Sequence, residues 1–107
     1  MIEVRVLIPV ASNEGVTFSP EHHAAFERVV LRRFGGYSLL PGTVRGQWVG
    51  DDDTTYADEL RAYVVAVQSI LDVGPLREVL DFALSHYRQE ALYYGYLGTS
   101  EFYKRTA

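Results

Sequence analysis

This sequence predicts a single α+β domain of order β-α-β-β-α-β, on three observations. Four segments alternate apolar and polar residues with the period of a strand, and two others carry apolar stripes at helical spacing. The two helical segments bear their own start and stop signals. The chain has 107 residues, 48% of them hydrophobic and 22% charged, which is sufficient for one core.

Residues 2–10 form the first predicted strand. Ile2, Val4, Val6 and Ile8 share one side, and Glu3, Arg5 and Leu7 the other. A turn-rich loop centred on Gly15 follows. The first helix opens with Ser19 as cap, Pro20 at its first position and Glu21 where the helix dipole favours an acid. Arg32 and Arg33 fall in its last turn and Gly35-Gly36 stop it, while Phe26, Val29, Val30 and Phe34 make its stripe.

The second strand begins near Thr43, after the Pro41-Gly42 turn, with Val44, Gly46 and Trp48 on one face and Arg45 and Gln47 opposite. A polar turn at 50–55 leads to the third strand, residues 58–68. There Leu60, Ala62, Val64 and Ala66 share a face, and Arg61, Tyr63, Val65 and Val67 share the other. The second helix starts near Pro75, with Leu76, Val79, Leu80, Ala83 and Tyr87 as its stripe. Residues 91–97 are the last strand. The domain is expected to span 1–98, with 99–107 a short tail.

Helices after strands one and three describe a ferredoxin-like split βαβ domain, a four-stranded antiparallel sheet with both helices on one face. The other face then lacks a helix. It is expected to carry Tyr63, Val65, Val67 and one alternating set of the tyrosines in the last strand. A bare apolar face on the order of several hundred Å² is rare in a monomer. A homo-oligomer, dimer or trimer, or a pocket wall is therefore expected there.

Three short motifs stand on these elements: Arg33-Phe34-Gly35 at a helix end, Gly46-Gln47-Trp48 in a strand, and Gln89-Glu90 opening the last strand. Together they resemble a loosely defined group of small uncharacterised bacterial proteins. That resemblance implies the ferredoxin-like domain and brings no established activity. By order of elements alone, the chain is similar to small dimeric oxygenases of the antibiotic-biosynthesis type and to PII-like signalling trimers, with 42–58 as the projecting loop.

Composition excludes several functions. With no cysteine there are no disulfides, thiolate zinc sites or cysteine nucleophiles. A net charge of -4 argues against a nucleic-acid partner. The opening residues lack a signal-peptide pattern and no stretch nears the ~20 apolar residues of a membrane span, so a cytoplasmic protein with no membrane partner is expected. No phosphate-binding glycine motif occurs, and Asp51-Asp52-Asp53 suits a solvated turn better than a calcium loop.

His22 and His23, with Glu27 one turn beyond His23, either hold part of a metal site or are two solvent-facing imidazoles. A third ligand is absent nearby, His86 and Glu90 being the distant candidates, so no metal and no cofactor is expected. His86 suits a general base or a cationic helix end. Glu90, where the second helix meets the last strand, is expected to pair with Arg45 or Arg61, or to line a cleft with Arg61, Tyr63 and Tyr94. Trp48 is expected to anchor a core or an interface.

These features predict a small oligomeric binding or regulatory domain. It would hold a small ligand or protein partner at the open face or subunit interface through Trp48, Arg61, Tyr63, Glu90, Tyr94 and Tyr96, with no catalytic residue assigned. Two alternatives remain open. One is a cofactor-independent oxygenase or isomerase drawing on Trp48, His22, His23 and His86; the other is a structural subunit.

Overall fold

A computed structural model describes residues 1–68, 73–96 and 99–105. The chain runs β1 (Ile2–Pro9), α1 (Pro20–Phe34), β2 (Ser38–Leu39), β3 (Val44–Val49), β4 (Thr55–Val67), α2 (Val73–His86), β5 (Ala91–Tyr96) and β6 (Thr99–Lys104). The helix boundaries follow from local chemistry. Ser19 Oγ accepts the His22 N–H at 3.1 Å, and Gly35, at φ +80, donates its N–H to the Leu31 carbonyl at 2.8 Å. α2 closes differently. The Gln89 N–H reaches back to the Leu84 carbonyl at 2.9 Å, with Arg88 in the left-handed region at φ 54.

The strands form one antiparallel sheet of order β2-β4-β1-β5-β6, with β3 also paired to β4. β4 has 13 residues and serves two partners on one edge. Residues 63 and 64 pair with β2, and 55–60 with β3. Because β1 reaches only to Leu60, β3 and the first part of β4 continue beyond it as a two-stranded ribbon.

Both helices pack on one side of the sheet. Phe26 and Val30 of α1, Leu76, Val79, Leu80, Ala83 and Leu84 of α2, and Tyr87 just past its end join Val4, Val6, Ile8, Tyr63, Val65, Val67, Leu92 and Tyr94 in one buried cluster. Full burial of an aliphatic side chain contributes roughly 1.5–3 kcal/mol, so this side carries most of the stability. The opposite side holds a smaller cluster of Leu7, Leu60 and Ala62, with Leu40, Trp48 and Tyr93 packed on it.

Three expectations are corrected. The sheet has six strands, not four. The added β2 is a two-residue strand whose pairing depends on β4 lying alongside, which no local pattern encodes. The segment expected to be a tail forms β6 on β5. Its Tyr103 packs against the helix-side core and donates its hydroxyl to Asp81 Oδ1 at 2.7 Å. Finally, Tyr63, Val65 and Val67 lie under the helices and not on the open face, as do Tyr94 and Tyr96. Alternation identified the two sets of residues on β4. It could not say which set the helices cover, and the register Val4↔Val65 and Val6↔Tyr63 decides that.

Candidate functional site

Two polar constellations stand out, one on each side of the sheet. On the helix side, Glu27 reaches from α1 over β4. Its Oε2 accepts the Tyr63 hydroxyl at 2.6 Å and lies 3.5 Å from Arg61 Nη2, and the Tyr37 hydroxyl also bonds this carboxylate. Arg61 in turn sits 5.5 Å from the centre of the Tyr63 ring. Burial first, then the bond to Glu27, raises the Tyr63 hydroxyl far above the ordinary tyrosine range. Nearby, His23 is buried and its Nδ1 hydrogen-bonds the Tyr87 hydroxyl at 2.8 Å. Burial, and next the Arg61 guanidinium, lowers His23 to about 4. These groups satisfy one another. Among the described residues no buried side-chain polar atom lacks a partner.

The open side is different. A groove of about 410 Å³ runs between the β3–β4 ribbon and the junction of α2 with β5. That volume lies within the range of small-molecule sites. Leu7 and Leu60 make its floor, and Trp48, Tyr56 and Tyr93 supply aromatic surface. Trp48 and Tyr93 stand on strands separated by two others, yet their rings are 6.0 Å apart at 29°, meeting over that floor. Tyr56 is fixed by donating its hydroxyl to Asp52 Oδ2 at 2.9 Å, which raises the tyrosine's pKa; a backbone bond from Thr54, then the tyrosine, lowers that of Asp52. Among the described residues, Asp51, Asp58 and Glu90 bring three carboxylates to the lining, against the single cation Lys104. Such a lining favours a ligand with a ring and a positive charge.

No protein-family model and no curated protein matches this chain. Among solved structures, it is similar to a phage SAM lyase in complex with S-methyl-5'-thioadenosine, with a TM-score of 0.72 at 14% identity over 99% of this chain and 89% of that one. The apo state of a phage SAM lyase gives a TM-score of 0.67, with the same identity and coverage. At that identity the likeness is one of fold.

The six residues expected at the site are divided by the sheet. Trp48 and Glu90 both line the groove. Arg61 and Tyr63 belong to the Glu27 network on the far side, and Tyr94 and Tyr96 stack there at 6.1 Å. The expected pairing of Glu90 with Arg45 or Arg61 does not form among the described residues, since Arg61 pairs with Glu27 and Glu90 is exposed. Tyr93, Tyr56 and Asp58 were not expected in the groove. Alternation already placed Tyr93 opposite Tyr94, so the correct face would have pointed to it. His22 and His86 meet across the two helices, but His23 is buried against Tyr87, so neither sequence expectation for the histidine pair describes them. Among the described residues no three His, Asp or Glu side chains could hold a metal ion. Nor is any described helix long and apolar enough to cross a membrane.

Gly46 explains why glycine precedes the tryptophan by two residues. Both project from the same side of β3, and a methyl group at Gly46 would stand 2.7 Å from the Trp48 ring. Gly46→Ala is therefore expected to push the indole out of its seat on Leu60, losing the near-ultraviolet circular-dichroism band of this single tryptophan. A band unchanged from the parent would show that the indole does not depend on the glycine.

Proposed function

We propose that this protein is a small-molecule-binding domain whose groove takes a positively charged, ring-bearing ligand, with S-adenosylmethionine and related sulfonium nucleosides as the class. The observation that carries this reading is the combined lining of three aromatic rings and three carboxylates. Rings stack a purine, and carboxylates beside them favour a sulfonium or ammonium charge. The fold likeness to a phage SAM lyase, seen with S-methyl-5'-thioadenosine, supports the same ligand class. We further infer a ferredoxin-like core of β3, β4, β1 and β5, and a cytoplasmic dimer or trimer joined through the open face. Val44, Val49 and Tyr56 on the ribbon are exposed apolar surface that such an assembly would cover.

Thermal melting with S-adenosylmethionine, S-methyl-5'-thioadenosine and adenosine tests the ligand class. At about 100 times its dissociation constant a ligand adds about 2.7 kcal/mol, raising the midpoint by roughly 10 °C. The expected order is S-adenosylmethionine above the two neutral nucleosides, with the shift lost in Trp48→Ala. Equal shifts from all three would mean the carboxylates do not read charge. No shift from any would leave the protein as an assembly subunit.

The fold likeness favours a second reading, in which the groove also breaks the ligand down. Incubation with S-adenosylmethionine followed by chromatography decides it. Release of S-methyl-5'-thioadenosine together with homoserine lactone, the fragment left when the ligand's own carboxylate displaces the sulfonium sulfur, reduced at least tenfold in Glu90→Gln, would make the protein a lyase. Intact S-adenosylmethionine bound to the protein would make it a binding domain.

A further inference from the structure

His22, in the first turn of α1, and His86, the last residue of α2, form a reciprocal clasp. Their rings are stacked at 3.7 Å and 9°. His22 Nε2 lies 2.8 Å from the His86 carbonyl, and His86 Nε2 lies 2.7 Å from the His22 carbonyl. A carbonyl only accepts, so each ring must carry its proton on Nε2. Phe18 stacks on the outer face of His22 at 4.8 Å and Phe82 on that of His86 at 4.9 Å, so four rings form one pile. The two helices are thereby tied at the end of the molecule from which Gln89 and Glu90 enter the groove wall.

We propose that this clasp is a pH-sensitive latch on the groove. With both imidazoles neutral, or with one proton added at Nδ1, the two Nε2–H bonds persist. A second proton would place two cations face to face at 3.7 Å. The titratable groups facing the pair give that charge no relief. His23 is electrostatically coupled to both rings and, through α1 and β4, to Glu27 and Arg61, while Tyr87, one residue past α2, lies against both rings at 5.1 Å. Among the described residues no carboxylate comes within ion-pair distance of either imidazole. Acid therefore separates the rings and frees the end of α2.

The junction beyond His86 is short. Arg88 is in the left-handed region, Gln89 Nε2 bonds the Tyr87 carbonyl at 3.1 Å and Asn13 Oδ1 at 3.3 Å, and Arg105 donates its backbone N–H to the Glu90 carbonyl at 2.8 Å. Movement of His86 is transmitted over four residues to Glu90, and onward to Tyr93 against Trp48. The consequence for ligand affinity rests on the groove being the binding site; the movement itself does not.

Trp48 emission between pH 8 and pH 5, measured without ligand, reads the movement directly. The three histidine rings are followed in parallel by NMR, and circular dichroism confirms that the fold is retained. The expected result is a sigmoidal emission change as the pH falls through this range, tracking the second protonation of the His22–His86 pair. His23, held down to about 4, stays neutral there and cannot supply it. In His86→Gln the amide still donates to the His22 carbonyl but takes no proton, so the change is lost. His22→Gln gives the same result if that variant fails to fold. Flat emission across this range in the parent protein overturns the proposal, as does a transition that survives in a folded variant. Ligand absent throughout, these outcomes are independent of the proposed function.

Discussion

Tyr63→Glu is expected to unfold the protein rather than dissociate an assembly. Tyr63 is 0% exposed, with Phe26 at 5.2 Å and Tyr37 at 5.7 Å between ring centres. Removing a buried ring costs about 3–5 kcal/mol. The new carboxylate would lie beside Glu27, which already receives the Tyr63 hydroxyl at 2.6 Å. A buried, unpaired charge next to one of like sign adds several kcal/mol more. Against a typical stability of about 5–15 kcal/mol, little remains. Urea titration should show no cooperative transition. Tyr63→Phe, by contrast, keeps the ring and leaves Glu27 with Arg61 and Tyr37, so its cost should be about 1–2 kcal/mol. A Tyr63→Glu protein that stays folded and changes only its mass in solution would place this residue on the open face after all.

Acid destabilisation through His23 is the second large effect. The folded state holds His23 at about 4, below the ordinary 6.5, because burial and then Arg61 disfavour its charged form. The unfolded chain therefore binds one more proton between those two values. Its stability contribution is complete above about pH 6.5 and is lost as the pH falls toward 4, below which this group has no further effect. The shift corresponds to about 3 kcal/mol by pH 4. Urea midpoints measured from pH 8 to pH 4 should fall over that window. They should fall less in His23→Gln, whose side chain can still bond the Tyr87 hydroxyl. Parallel pH profiles for the two proteins would show that His23 is not held neutral by the fold.

Much of this architecture was legible because its causes are local. Ser19, Pro20 and Gly35 act within a turn of the helix ends they define, and the structure begins and ends α1 at those signals. Alternation likewise sorted every described β4 position from Leu60 to Val67 into the correct pair of sets. β2 escaped because a two-residue strand exists only through pairing with a distant neighbour, whereas β6 pairs with β5 immediately before it and was missed because residues 99–104 read as a tail.

The candidate site was half legible. Trp48 and Glu90 stood out by rarity and by position, and both line the groove. Arg61, Tyr63, Tyr94 and Tyr96 were placed with them because a tyrosine set and a basic residue look alike from either side of a strand. Tyr93, one residue from Tyr94, proved to be the ring that meets Trp48. The histidines were equally opaque. Nothing near His22 in sequence announces a ring 64 positions away stacked on it at 3.7 Å.

By itself, then, the sequence determined the helices, their ends, the order of the principal strands and which residues share a strand face. Those depend on backbone preferences and side-chain periodicity within a few residues. Only the tertiary structure decided which face the helices cover, that Trp48 and Tyr93 close over Leu7 and Leu60, and that His22 clasps His86. Each of these is a contact between elements far apart in the chain. It is selected by register, by the path of the sheet and by burial of the larger apolar set, none of which a local pattern carries.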